Sequence, residues 1–102
     1  MIDVPIAVPE SADFRRVSGK VESCCRRLGL VVGMKAELRK HPGSTHWHYK
    51  RPKQSGTLEI TVWPSERRVW ITVQDGRRAE WIEEIMPALG RELELAFRAK
   101  RG

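Results

Sequence analysis

The stretch TLEITVWPSERRVWITVQ, residues 57–74, indicates the fold class of this chain. Aliphatic side chains alternate with other residues in 57–63, and the same alternation returns in 68–74. A period of two is typical of a β-strand that buries one face. Pro64 and Ser65 begin a short polar turn between the two runs, so the stretch predicts an antiparallel β-hairpin.

A second hairpin is predicted upstream. Residues 30–40 alternate, and the face predicted to be buried carries Leu30, Val32, Met34, Ala36 and Leu38. The opposite face then carries Lys35, Glu37 and Arg39. Pro42-Gly43 marks a turn, and residues 45–51 are predicted to form the return strand. We expect Trp47 and Tyr49 to face inward, which leaves His46, His48 and Lys50 outward; a slip of one residue would invert this.

Amphipathic helices are predicted on both sides of these strands. In residues 10–29 the helical stripe is Phe14, Val17, Val21, Cys24 and Leu28, and in residues 77–100 it is Trp81, Ile85, Leu89, Leu93 and Phe97. Pro87 lies inside the second pattern and is expected to kink or split that helix. Residues 1–9, with two prolines, are expected to form an irregular arm.

The predicted fold is a single α+β domain spanning residues 1–102, in the order α-β-β-β-β-α. Short loops favour an antiparallel meander of four strands over residues 30–74. Two amphipathic helices need a surface to cover, which predicts a two-layer sandwich with both helices on one face of the sheet. The other face is then open to solvent or to a partner.

Composition narrows the class of protein. The 102 residues carry a formal net charge of +6, and the apolar runs are far too short to span a bilayer. The N-terminal residues contain Asp3 and no basic segment, unlike a secretion signal. We therefore expect a cytoplasmic bacterial protein with no membrane partner. The adjacent Cys24 and Cys25 are expected to be reduced thiols, because neighbouring cysteines rarely bridge each other.

The basic charge and the open face together predict nucleic-acid binding, with RNA or single strands before duplex DNA. Cations neutralise phosphates, and exposed aromatic rings accept unstacked bases. An alternative for Trp63 and Trp70 is that they pack against each other across the hairpin. The residues predicted to contact nucleic acid are Lys35, Arg39, Lys40, His46, His48, Lys50, Arg51, Lys53, Trp63, Trp70, Arg77 and Arg78.

The three histidines allow other functions. His46 and His48 are two apart on a strand, so they share a face and are candidate metal ligands, with His41 or Glu59 as a possible third. The sequence assigns no cofactor beyond these candidates. A histidine among cations also suits a general base near neutral pH, so a metal-independent ribonuclease is a second hypothesis. A third is a homodimer formed through the open face.

The segment LGLVVGMKAELRKHPGSTHWHYKRP, residues 28–52, resembles the HicA messenger-RNA-cleaving toxins. Those proteins have a double-stranded-RNA-binding-domain-like fold and a Gly-Ser-His-His stretch after the first strand. Here Gly43-Ser44-Thr45-His46 occupies the corresponding place, with Thr45 where the family pattern has histidine. The resemblance implies an RNA substrate and a catalytic role for His46.

Overall fold

A computed structural model describes residues 1–99 of the chain. These residues form an α+β structure with two α-helices and a five-stranded antiparallel sheet of order β1-β5-β4-β3-β2. The strands are β1 (Ile2–Ile6), β2 (Val31–Leu38), β3 (His41–Lys50), β4 (Leu58–Trp63) and β5 (Arg68–Val73). The helices are α1 (Val17–Arg27) and α2 (Glu80–Arg98). Neither helix of this described region combines the length and hydrophobicity needed to cross a membrane.

The N-terminal segment forms a strand, which corrects the prediction of an irregular arm. β1 pairs with β5 along its whole length, from Ile2 opposite Val73 to Ile6 opposite Val69. Pro5 lacks a backbone N–H, but it is tolerated because β1 is an edge strand with one unpaired side. The sheet therefore has one strand more than the predicted four.

Both helices start later than their sequence patterns suggest. A 3-10 turn at Phe14–Arg16 precedes α1, and another at Asp75–Arg77 precedes α2. Asp75 and Gly76 belong to the turn before α2, and the helix itself begins at Glu80. The predicted C-terminal limit of α2, residue 100, lies outside the described residues.

Pro87 does not split α2. The helix is continuous from Glu80 to Arg98, with the proline in its interior. Its buried stripe contains Trp81, Ile85, Leu89, Leu93 and Phe97, as the spacing predicted. Packing of this stripe therefore outweighs the backbone hydrogen bond that proline cannot make.

The core lies between the helices and one face of β3, β4 and β5. Trp47 and Tyr49 are at most 1% exposed, which confirms the predicted orientation of β3. The predicted inward residues of the next two strands are also buried: Leu58, Ile60, Val62, Val69, Ile71 and Val73. Cys24 and Cys25 are free thiols in this core, and burial raises the pKa of Cys25 to about 12. The Cys25 thiol is therefore protonated near neutral pH.

The predicted faces of β2 are correct up to Val32 and wrong from Met34 onward. Val32 lies opposite Tyr49 on the helix side, but Met34 lies opposite His48 on the other side, because the register shifts at Gly33. This β-bulge reverses the alternation for the rest of the strand. Lys35 is therefore opposite Trp47 and faces the helices, where its Nζ lies 2.8 Å from Oε2 of Glu22 in α1.

The turn between β2 and β3 also differs from its prediction. It is formed by residues 39–40, and Pro42-Gly43 lies within β3. Gly43 has a φ of 82°, and its N–H donates to Oε2 of Glu37 at 2.7 Å. A second irregularity, between Ala36 and Leu38, accommodates these extra residues of β3.

The reversed Lys35 can be tested by a double-mutant cycle with Glu22. We expect Glu22→Gln and Lys35→Met to couple by about 0.2–1 kcal/mol in the free energy of unfolding, because the ion pair is partly exposed. Urea unfolding at low salt measures the coupling, which should shrink at high salt. Arg39→Met is the matched control, since Arg39 lies in the turn, and it should not couple. No coupling for Lys35 would contradict its placement against α1.

Candidate metal centre

The sheet face opposite the helices, hereafter the open face, contains a shallow depression of about 410 Å³. None of the described residues that line it belongs to a helix. Most of them lie on strands, so sheet register alone determines which side chains meet. The lining residues are Met1, Asp3, Met34, Leu38, His41, His46, His48, Glu59, Thr61, Trp70, Thr72 and Gln74.

Three potential metal ligands converge in this depression. His46 and His48 share a face of β3, and Glu59 of β4 lies directly opposite His48. Oε1 of Glu59 is 3.2 Å from Nε2 of His46 and 3.8 Å from Nε2 of His48. The three donor atoms all lie within 4.8 Å of one another. Ligands of a tetrahedral zinc ion are roughly 3.3 Å apart, given bonds near 2.0–2.1 Å, so small side-chain rotations would bring these atoms to a shared ion.

The cluster is buried even though no described helix covers it. The side chains of His46 and Glu59 are 7% and 5% exposed, whereas that of His48 is 20% exposed. The strands on either side carry large outward side chains, with Met34 opposite His48 and Trp70 opposite Thr61. These neighbours exclude water from the floor of the depression and leave His48 at its surface.

The Glu59 carboxylate has partners on both oxygens. Oε1 faces the two imidazoles, and Oε2 accepts a hydrogen bond from Nε2 of Gln74 at 2.7 Å. Nη1 of Arg77 lies 3.5 Å from the same Oε2. A buried carboxylate is tolerated only with such partners. They also fix the carboxylate so that Oε1 points at the histidines.

The environment favours neutral His46. Burial lowers the pKa of His46, and the Glu59 carboxylate opposes this effect without reversing it. Nδ1 of His46 lies 2.7 Å from Oγ1 of Thr61. A threonine hydroxyl can donate or accept, so Thr61 supports either neutral tautomer of the ring. A neutral imidazole with its second nitrogen hydrogen-bonded is the state in which histidine binds metals.

The predicted phosphate contacts do not form one surface. Arg39 and Lys40 lie at one end of the β2–β3 hairpin, and Lys50, Arg51 and Lys53 at the other. Ten residues of extended β3 separate the two groups by roughly 30 Å. Only Lys50 and Arg77 of the predicted cations lie beside the cluster on the open face.

Four of the predicted contact residues have local partners away from the cluster. Lys35 faces α1, and the guanidinium of Arg51 lies 5.5 Å from the ring of Trp81 in α2. Arg78 forms an ion pair with Glu83 at 2.6 Å, whereas Arg77 faces Glu59. The two neighbouring arginines therefore have different partners. Trp63 donates its N–H to the carbonyl of Pro42 at 3.0 Å.

His41 does not join the other two histidines. Its ring contacts Trp63 and Trp70 edge-on, with ring centroids 4.5 and 5.2 Å away. The ring of His41 therefore lies in contact with both tryptophans. The sequence had predicted either two rings open to bases or two rings packed directly against each other. Between the two candidates for a third ligand, the geometry selects Glu59.

Alternation puts Thr61 and Gln74 on the outward faces of their predicted strands, but sequence reasoning missed that they hold the cluster in place. Thr61 shares the outward face of β4 with Glu59, so alternation alone was a usable signal. Gln74 lies just beyond the end of β5, where only the β4–β5 register reveals that it reaches Glu59.

The contribution of Thr61 can be measured with two isosteric substitutions. Thr61→Val removes the partner of a buried imidazole nitrogen and should lower the free energy of unfolding by about 1–3 kcal/mol. Thr72→Val is the matched control, because Thr72 donates to Asp3, whose exposed carboxylate water can solvate. Its effect should be smaller, and equal losses in urea unfolding would contradict a structured His46–Thr61 contact.

Comparison with protein-family models, curated proteins and solved structures found no match for this chain. The resemblance to the HicA toxins stays a prediction, and the arrangement of the side chains is the basis for any functional proposal.

Proposed function

We propose that this protein binds a divalent transition-metal ion through His46 Nε2, His48 Nε2 and Glu59 Oε1. The observation that carries the proposal is that one potential ligand atom from each of these three residues lies within 4.8 Å of the others, at the floor of an open depression. Two imidazoles and one carboxylate form a ligand set used by zinc and by non-haem iron. Three protein ligands leave at least one coordination position for a further ligand.

The same contacts also form a metal-free hydrogen-bond network, and this is the alternative to be excluded. In that network His46 donates its Nε2–H to Oε1 of Glu59, and Thr61 donates to Nδ1 of His46. Nε2 of His48 faces the same carboxylate oxygen at 3.8 Å, beyond hydrogen-bond distance. Binding a metal requires that both histidines change tautomer, from Nε2–H to Nδ1–H, and that Nδ1 of His48 no longer accepts from Arg77. Thr61 can accept the relocated proton of His46, and Glu59 keeps its contacts through Oε2. The metal-free network is thus already arranged as a binding site.

The exposure of the three residues supports a site that admits ligands from solvent. Glu59 and His46 are buried and fixed by neighbours, whereas His48 lies at the surface of the depression. A metal could enter along the His48 side without opening the core. Its free coordination position would then face the same side.

Metal binding is tested by titrating the purified protein, treated first with a chelator, with Zn²⁺ in a calorimeter and with Co²⁺ in a spectrophotometer. We expect a stoichiometry of one and the visible absorption of low-symmetry Co²⁺. His48→Ala should weaken binding by about a hundredfold or more, since loss of a supporting residue alone typically weakens it 10–100-fold. His48 is the most exposed ligand, so this variant should fold.

His41→Ala is the matched control for the metal experiment. It removes the histidine that lies outside the cluster and should leave the affinity within about threefold of the unmodified protein. Absence of one-to-one binding, or equal losses in His41→Ala and His48→Ala, would contradict the proposal.

Nucleic-acid binding is a second proposal, with RNA before DNA. It is supported by the net charge of +6 and by the cations at the β3–β4 end of the sheet, which include Lys50, Lys53 and Arg77. A catalytic role for His46 in RNA cleavage is a further hypothesis within it. Dimerisation through the open face stays a prediction.

Fluorescence anisotropy with short labelled RNA, at several salt concentrations, tests this second proposal. Replacing Lys50 and Lys53 with glutamine should weaken binding and reduce the salt slope by about 0.7 for each RNA phosphate that is no longer neutralised. The same replacement of Arg39 and Lys40, at the far end of the hairpin, is the control. Equal effects of the two double variants would argue against a binding surface at the β3–β4 end, and a gel of the probe would reveal any cleavage.

A further inference from the structure

We propose that the metal at the His46–His48–Glu59 cluster takes a phosphate group as its remaining ligand, and that Arg77 and Lys50 hold the other phosphate oxygens. This inference rests on the proposed metal site and names the class of ligand that the site would recognise. Its basis is the charge and the hydrogen-bonding state of the side chains around the metal position.

Arg77 is the first of the two cations beside the cluster. Its Nη1 lies 3.4 Å from Nδ1 of His48 and 3.5 Å from Oε2 of Glu59, and its side chain is 43% exposed. Both distances are longer than the 2.7–2.9 Å of strong charge-assisted hydrogen bonds. Arg77 therefore sits beside the cluster without a tight ion pair there.

Metal binding would further weaken the contacts of Arg77 with His48 and Glu59. When Nε2 of His48 binds a metal, the neutral ring must carry its proton on Nδ1, which can no longer accept from Arg77. The metal also neutralises much of the charge on Glu59. The guanidinium would then be a cation with free donors beside His48, on the side where the open coordination position would face.

Lys50 supplies a second cation on the same face. It follows His48 by two positions on β3, which places the two side chains roughly 7 Å apart on one side of the strand. Its Nζ donates to Oγ1 of Thr57 at 2.8 Å, a neutral partner. Among the described residues, no carboxylate forms an ion pair with Lys50.

The resulting balance of charge favours an anion. One ligating carboxylate faces a divalent ion and two side-chain cations, so a bound dianion would bring the site close to neutrality. Asp3 is the other carboxylate lining the depression, and it lies on β1, two strands away from β4, where it accepts from Thr72. An anion is therefore expected at the Arg77 and Lys50 end, away from Asp3.

A phosphate fits this end better than a carboxylate. Its tetrahedral oxygens can bind the metal, the planar fork of Arg77 and the point charge of Lys50 at the same time. The depression of about 410 Å³ leaves room beside it for a small organic substituent. The chemistry is shared by free phosphate, phosphomonoesters and the phosphodiesters of nucleic acid.

The test uses the full chain loaded with Co²⁺, and phenyl phosphate as the probe. We expect phenyl phosphate to change the visible absorption of the bound Co²⁺ in a saturable way. Arg77→Gln should raise its Kd by about tenfold or more, because a charge-assisted hydrogen bond is removed, and Lys50→Gln should raise it as well. Lys50→Gln should not weaken binding of Co²⁺ itself, because Lys50 neither ligates the metal nor contacts Glu59. Arg77 is a partner of Glu59, so the Kd for phenyl phosphate of Arg77→Gln is measured at saturating Co²⁺.

Arg78→Gln is the matched control, since Arg78 pairs with Glu83 and not with the cluster. Its Kd for phenyl phosphate should be unchanged. Three results would overturn the phosphate assignment and leave the metal site standing. They are a Co²⁺ spectrum that does not change on addition of phenyl phosphate, equal effects of Arg77→Gln and Arg78→Gln, and an equal response to acetate. Failure to bind Co²⁺ at all would overturn both.

Two probes distinguish the sources of the phosphate. A response to phenyl phosphate alone assigns the site to phosphomonoesters or free phosphate. A comparable response to dimethyl phosphate, which carries a single charge, assigns it to phosphodiesters and thereby joins it to the nucleic-acid proposal.

Discussion

The pairing of β3 with β4 is the constraint on which both sides of this protein depend. One register sets Trp47 against Ile60 on the helix side and His48 against Glu59 on the open side. A one-residue slip of β3 would move the tryptophan to solvent, and one of β4 would move the carboxylate into the core, so burial of the core fixes the cluster as well. The free energy gained by burying the aromatic side chains thus determines which polar groups meet on the opposite face.

Much of this arrangement could be predicted from alternation alone. The inward and outward residues of β3, β4 and β5 follow their sequence pattern, because these strands are central and one face of each is fully covered. The failures lie at the two edges of the sheet. Gly33 gives no sign in the pattern that it forms a bulge, and an edge strand such as β2 has too little burial to enforce the expected faces. Residues 2–6 of β1 also alternate, but Pro5 lies within this run, which is why an irregular arm was predicted there.

The site was predictable only in part, for a different reason. The spacing of His46 and His48 showed that the two rings share a face, and Glu59 was one of two candidates for a third ligand. Choosing between Glu59 and His41 required the register between strands, which depends on packing throughout the sheet. Alternation continues to Gln74 and places it on the outward side, but Gln74 and Arg77 reach the cluster from just beyond β5, and only the register between strands shows that they meet Glu59.

The burial of Glu59 bears on whether the cluster serves stability or binding. On a sheet face that solvent can reach, a threonine or a valine would satisfy the strand at less cost than a carboxylate, which must be held by several donors. Apolar replacements of buried charged groups are often neutral or stabilising, so stability alone gives a weak reason for this network. A network whose carboxylate oxygen faces two imidazole nitrogens, with a partly exposed histidine on one side, instead has the composition of a ligand-binding site. The neighbouring cations extend the same reasoning, because Arg77 and Lys50 would repel a bare metal ion and favour one that arrives with, or then recruits, an anion. Metal and anion binding at this position should therefore be mutually reinforcing, each raising the affinity of the other by the same factor.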